Sequence, residues 1–254
     1  MRTSTQIRQQ ATSKIVQQQR NQKRRRHLLN TSLLVLLISF LLWVGLKVTN
    51  PNTFPIQSVK IMGNYNHVDH LQLRQTISPY LKSGFLWVDE TGLSNQLMQL
   101  PWVENATVQR IWPHILQITL VEKTPIAHWN NTDLMSAQYD TYNPGNATIT
   151  NPLPWLYGPQ GQQNEVWTAY QTLSNILVPL KLKISSIELS QRQSWEIKLD
   201  NGMLLIVGRD DMQTRLQRFV TIYNKIIGTN ANQVDYVDLR YSNGVAVKWK
   251  NNQH

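Results

Sequence analysis

The stretch Leu28 to Leu46, LLNTSLLVLLISFLLWVGL, runs 19 residues without a charge. At 1.5 Å per residue a helix of that length spans about 28 Å, one bilayer core. Five basic residues within seven, Arg20 to Arg26, stand directly before it. A buried helix of a soluble protein rarely follows such a cluster, so the run reads as a transmembrane helix over 28–48. A cleavable signal peptide has a shorter apolar core and a small-residue cleavage site. Here the run leads into Lys47-Val48-Thr49-Asn50-Pro51. Twin-arginine export is a weaker rival, given Arg24-Arg25-Arg26 and a segment too long and too apolar for it.

Charge sets the expected orientation. The formal charge of the 254 residues is +10. Residues 1–27 carry eight Lys/Arg and no acid, and removing those eight leaves 17 basic against 15 acidic residues. The high pI thus belongs to a tail. Positive flanks stay in the cytoplasm, so a basic cytoplasmic tail over 1–27 and an extracytoplasmic body from residue 50 are expected. A Gln-rich basic tail suits anionic lipid better than nucleic acid. The chain has no cysteine, which excludes disulfides, thiolate metal sites and cysteine nucleophiles.

The body reads as α+β. Ile56–Gly63 has strand composition and ends at glycine. His67–Tyr80 carries Val68, Leu71, Leu73 and Ile77 behind Asp69, a candidate N-cap, and a second helix is expected over Asp89–Leu100, stopped by Pro101. Strands follow at Val103–Arg110 and Ile115–Glu122 around Trp112-Pro113-His114. The order β-α-α-β-β occupies 54–124. Residues 125–250 read as a β-rich mixed domain with a C-terminal hairpin, 251–254 being the end. It has helices at Glu165–Leu177 and from Asp210, and strands near 182–189, 194–199 and 203–208. Met212, Leu216, Phe219, Tyr223, Ile226 and Ile227 form one apolar face closed by Gly228, with Asp210 and Asp211 placed for capping.

Catalytic patterns are missing. The sequence has no GxSxG elbow, no GxxxxGK[ST] loop and no HExxH helix. His67 and His70 make a poor metal cluster without further ligands. Asp235 and Asp238 fall on opposite strand faces, so they cannot share a substrate. The sequons at Asn105, Asn130 and Asn146 read as chance in an Asn-rich chain. Expected, therefore, are no enzyme activity, no cofactor and no metal. Trp102 and Trp129 adjoin strand patterns and read as core, while Trp112 and Trp155 are left open between packing, an interface and a sugar-binding platform.

VDYVDLRYSNGVAVKW, Val234 to Trp249, reads as a hairpin. A three-residue loop Ser242-Asn243-Gly244 sets Tyr241 opposite Val245, Leu239 opposite Val247 and Val237 opposite Trp249. The apolar row then shares one face, and Asp238 lies opposite Lys248 on the other. The last strand, about Gly244–Lys250, presents Val245, Val247 and Trp249 to the core and Ala246, Lys248 and Lys250 outward. Its free edge admits two readings, a lysine-protected edge or an acceptor for a partner strand.

LPWVENATVQRIWPHILQITLVEKTPIAHW (Leu100–Trp129) resembles the end of a POTRA domain of the FtsQ/DivIB family of bacterial cell-division proteins. LPWLYGPQG (153–161), VGRDDMQTRLQRF (207–219) and the terminal hairpin fit the same family in order. Residues 133–152 depart from it, and no function is carried over to them. The resemblance implies a bitopic inner-membrane protein at the septum, with a periplasmic body and no catalysis of its own. It would bind the FtsB/FtsL subcomplex and link early division proteins to septal wall synthesis. FtsK, FtsW and FtsI are the further partners it implies. Strand addition would occupy Tyr241, Gly244, Val245, Ala246, Val247, Lys248 and Trp249, and Arg209 would meet acidic groups on the partner helix. Lys248 stands where a smaller residue is expected. Val108 and Arg110 mark a second, recruiting surface. The rival classes are a membrane-tethered envelope hydrolase and a POTRA protein of outer-membrane assembly. The absence of a catalytic constellation speaks against the first, the absence of an array of barrel strands against the second.

Overall fold

A computed structural model describes residues 31–250. The basic tail 1–27, residues 28–30 of the apolar run and 251–254 lie outside the described residues. α1, Thr31–Thr49, is long and apolar enough to cross a membrane, and none of it is buried in the protein. The described residues form two compact units, the first made of segments up to Ile61, Arg74–Leu93 and Val108–Ile118, the second of Met62–Leu73, Ser94–Thr107 and Thr119 onward.

The expected β-α-α-β-β order is present as β1 (Ser58–Asn64), α2 (His70–Leu81), α3 (Glu90–Leu97), β2 (Val103–Ile111) and β3 (Ile115–Glu122). The strands form a sheet in the order β1-β3-β2, which leaves β2 at an edge. Asp69 begins α2, its side chain accepting the Leu71 N–H at 2.8 Å. Asp89 does the same for Gly92 ahead of α3. Leu73 and Ile77 are buried, whereas Leu71 is exposed, so the apolar stripe of α2 is narrower than its sequence suggests. Along β3, Leu116, Ile118 and Leu120 are buried, as their alternation requires.

Further along the chain come β4 (Pro125–Trp129), β5 (Asp133–Ser136), β6 (Thr141–Tyr142), β7 (Trp155–Tyr157), α4 (Gln163–Leu177), β8 (Ile184–Leu189), β9 (Trp195–Leu199), β10 (Leu204–Gly208), α5 (Met212–Ile226), β11 (Val234–Asp238) and β12 (Ala246–Trp249). The nine strands order as β12-β11-β10-β9-β8-β7-β4-β5-β6. Pairs β4/β7, β7/β8 and β10/β11 are parallel. α4 supplies the crossover between β7 and β8, and α5 that between β10 and β11. Strict alternation along β9, with Trp195, Ile197 and Leu199 buried and Glu196 and Lys198 exposed, marks a sheet with one face packed. Val166, Ala169, Leu173 and Leu177 of α4 and Leu216, Phe219 and Tyr223 of α5 belong to the same core. Strands β5 and β6, within 133–152, have no counterpart in the sequence reading. They are short, and Asn- and Pro-rich residues follow them.

Two expectations about α5 change. Ile226 is exposed rather than part of the buried face. Asp211 is the N-cap, but it takes a left-handed conformation (φ 50°) and its side chain makes no capping bond. Its carbonyl instead accepts the Arg215 N–H at 2.9 Å. Both acids therefore act there through charge near the helix start, not through a cap.

Candidate functional site: the terminal sheet edge

The terminal hairpin forms, with a different register from the one its pattern predicts. Val237 faces Val247, Asp238 faces Ala246 and Tyr236 faces Lys248; an irregularity then brings Val234 opposite Trp249. The three-residue loop is replaced by the longer connection Leu239–Val245 between β11 and β12. The slip is two residues, and because side chains alternate with period two, the regularly paired valines keep their face. Val245 and Val247 still pack against the core.

Neighbouring elements hold the longer connection in place. The Leu239 N–H donates to the Ile206 carbonyl at 2.9 Å, carrying the parallel ladder with β10 past the end of β11. Arg218 of α5 donates to the Leu239 carbonyl at 3.2 Å and to the Ser242 carbonyl. The Arg240 N–H and guanidinium both turn to Asp238. The connection is thus tied to β10 through the Leu239 N–H, to α5 through the Leu239 and Ser242 carbonyls, and to Asp238 through Arg240. Asp238 is 6% exposed. Hydrogen bonds from the Arg240 side chain hold its carboxyl below the usual carboxylate range, against the opposing effect of burial.

Two further expectations are corrected. Trp249 is not on the packed face; it is 40% exposed, because the irregularity at Val234/Tyr236 ends the regular alternation there. Lys248 pairs with Asp235 at 3.2 Å, not with Asp238, and its ammonium sits 5.2 Å from the centre of the Tyr236 ring. Lys250 donates to the Asn232 carbonyl and so folds back across the strand.

β12 is the outermost strand of its sheet, paired to β11 on one side and to no strand among the described residues on the other. A cavity of about 380 Å³ adjoins it, lined by Tyr241, Ser242, Asn243, Gly244, Val245 and Ala246. Tyr241 is exposed. The structure thus brings together seven of the sequence-derived residues: Tyr241, Gly244, Val245, Ala246, Val247, Lys248 and Trp249. Arg209 is also exposed, and it donates from Nε and Nη2 to the Arg192 carbonyl at 3.1 and 2.6 Å. A neutral carbonyl orients the guanidinium without neutralising it. Sequence reasoning missed Arg218, which holds the hairpin connection, and Arg215, which ties α5 to β10. The Arg215 Nη1 donates to the Val207 carbonyl at 2.7 Å. Gly208 (φ +85°) leaves room for that side chain, since a Cβ there would lie 2.6 Å from Arg215 Nη1.

The other candidate surface is partly internal. Val108 is buried, at 8% exposure, and so belongs to the core. Arg110 is exposed on edge strand β2. Glu90 Oε1 accepts both its backbone N–H at 3.0 Å and its Nε at 2.8 Å, and its Nη1 donates to the Leu86 carbonyl at 2.8 Å. The aromatic residues resolve as follows: Trp102 and Trp129 are buried, Trp112 and Trp155 exposed. His67 stacks on Trp102 and pairs with Glu122, while His70 meets Tyr65 edge-on. Among the described residues no group of three His, Asp or Glu is arranged to hold a metal ion.

Comparison with known proteins agrees with this layout. Residues 54–123 match the family model described as POTRA domain, FtsQ-type, and residues 127–240 that of the cell division protein FtsQ/DivIB C-terminal region. Among similar proteins, a Cell division protein FtsQ of Coxiella burnetii is 36% identical over 202 residues, covering 80% of this chain and 83% of that protein. One of Aliivibrio fischeri is 31% identical over 216 residues, 85% and 82% of the two chains. One of Escherichia coli K12 is 34% identical over 201 residues, 77% and 73%. The C-terminal model ends at residue 240, so the assignment of β12 rests on the sheet itself. With both of its family regions present in order and relatives matched over most of their length, the chain belongs to the FtsQ family of cell-division proteins.

Proposed function

We propose that the protein is a non-catalytic, membrane-anchored scaffold of the division machinery that takes up a partner strand along β12. In this reading 1–27 is the cytoplasmic tail, 28–48 the single span of the inner membrane, 54–124 the POTRA domain and 125–250 the periplasmic β-rich domain, at the septum. The partner is the FtsB/FtsL subcomplex. The observation that carries the reading is the outermost position of β12, whose free edge is flanked by exposed Tyr241 and Trp249. An added strand would satisfy that edge's backbone groups, and the adjoining cavity would take one of its side chains. Arg209, oriented yet not neutralised, is placed to meet an acidic partner helix. Arg110 marks the surface for other division proteins such as FtsK, FtsW and FtsI.

The test is co-purification of the full chain with co-expressed FtsB and FtsL ectodomains. Wild-type protein should retain them. Val247→Pro, which removes an edge N–H, and Trp249→Asp should each lose them while circular dichroism stays unchanged. Equal retention by all three, with the fold intact, would reject the edge as the binding site.

A further inference from the structure

The chain leaves α1 and immediately meets two aromatic turns of the first unit. Val48 is in the last turn of α1, where carbonyls have no helical partner. Its carbonyl accepts the Trp87 indole N–H at 2.9 Å. Past Asn50 a short 3-10 turn, Pro51–Thr53, leads into Phe54, whose carbonyl accepts the Phe85 N–H at 2.7 Å. The Gln57 N–H then donates to the His114 carbonyl at 3.0 Å. Two turns, around 84–88 and 111–114, are therefore tied by hydrogen bonds to the segment that emerges from α1.

Both turns present indoles to solvent. Trp87 is 56% exposed and Trp112 67%, and the neighbouring Ile111 is also exposed. Neither ring is loosely held. Trp112 meets the fully buried Phe85 edge-on, ring centres 5.0 Å apart, and Trp87 is fixed by its bond to Val48. Rigid exposed indoles gain nothing from water, whereas an indole is most stable at the headgroup level of a bilayer, with its ring apolar and its N–H satisfied. The depth matches, because one hydrogen bond separates Trp87 from the end of the helix. Exposed Lys47 and Lys82 adjoin these elements in sequence and suit anionic headgroups.

We propose that Trp87, Ile111 and Trp112 form a lipid-docking ridge that lies in the headgroup region of the leaflet where α1 ends. The ridge holds this unit against the membrane surface and fixes its orientation there, so the unit does not swing on a free linker. This rests on the reading of α1 as a membrane span.

The test uses the full chain in nanodiscs of phosphatidylcholine and phosphatidylglycerol. Because the chain lacks cysteine, single nitroxide labels can be placed at Ile111→Cys, at Leu37→Cys in α1 and at Lys198→Cys on β9. Collisional relaxation by oxygen, which partitions into lipid, is compared with that by a water-soluble nickel chelate. The Ile111 site should show an oxygen-to-nickel ratio several-fold above Lys198. Adding Trp87→Glu and Trp112→Glu should return it to the Lys198 value and leave Leu37 unchanged. An Ile111 ratio equal to Lys198 in the otherwise native chain, or one that the double substitution does not move, overturns the ridge while the anchor stands. A nickel-dominated Leu37 site removes the anchor, and the ridge with it.

Discussion

Val237 stands directly opposite Val247 across the terminal hairpin, two residues away from the partner its own pattern of apolar residues selects. Directly opposed residues of an antiparallel pair lie about 4.5–5.5 Å apart at Cα, within reach of a disulfide. In this cysteine-free chain, a Val237→Cys/Val247→Cys pair should cross-link under mild oxidation, and a Leu239→Cys/Val247→Cys pair should not. Non-reducing gel mobility reads the outcome, and the reverse result would restore the three-residue loop.

Arg218 should govern how firmly that hairpin connection is held. It donates to two carbonyls of residues 239–242 from the flank of α5. Arg218→Ala removes donors to both, a loss of about 1–3 kcal/mol for hydrogen bonds from a charged group. Amide exchange across 239–247 should accelerate far more than exchange in β8 and β9. Uniform acceleration would mean that Arg218 stabilises the fold generally and not this loop.

Asp238 gives the hairpin a pH dependence with a definite sign. Its folded carboxyl titrates below the ordinary value near 3.8, first because Arg240 hydrogen-bonds it. A depressed carboxylate adds stability above its unfolded pKa, and that stability is lost as pH falls through the folded value. Wild-type protein should therefore lose more thermal stability than Asp238→Asn between pH 5 and pH 2, about the range below the ordinary carboxylate pKa. Parallel melting curves for the two across that range would show the pair to be idle.

Gly158 and Gly63 rank the tolerance of two close approaches. A Cβ on Gly158 would lie 3.0 Å from Val166 Cγ2 and 3.1 Å from Trp129 Cη2, side-chain atoms that give by a few tenths of an ångström. A Cβ on Gly63 would lie 2.0 Å from the Leu120 carbonyl oxygen, at φ +106°. Gly158→Ala should cost about 1 kcal/mol, and Gly63→Ala about 3 kcal/mol or more, since a strand backbone has to move. Denaturant midpoints decide the order.

Arg209→Glu should weaken retention of the FtsB/FtsL ectodomains while leaving the melting temperature close to wild type. Its guanidinium is exposed and bonded to a single backbone carbonyl, so the fold loses little with it. Loss of folding in parallel with loss of binding would make it a structural residue.

Much of the architecture was legible because burial leaves a periodic trace. Leu116, Ile118 and Leu120 alternate because one face of β3 is covered, and Leu216, Phe219 and Tyr223 recur at helical spacing because α5 packs on a sheet. Where side chains are few or polar groups dominate, the trace fades. β5 and β6 have four and two residues, too short for any period to show. Val108 was legible as a strand residue and not as a buried one, since a strand at a sheet edge still has an inward face.

By itself the sequence determined the apolar span, the β-α-α-β-β order, the existence of the terminal hairpin and the packed face of Val237, Val245 and Val247. All of these follow from local hydropathy and from side-chain periods of 3.6 and 2. Tertiary structure decided which residues of that hairpin stand opposite one another. A two-residue slip leaves the period unchanged and is invisible to any pattern; the longer connection is held by Arg218, distant in sequence, and by the Arg240 N–H on Asp238. It also put β12 at the rim of the sheet, because the order of strands depends on which edges pair across the chain and not on the composition of any one of them.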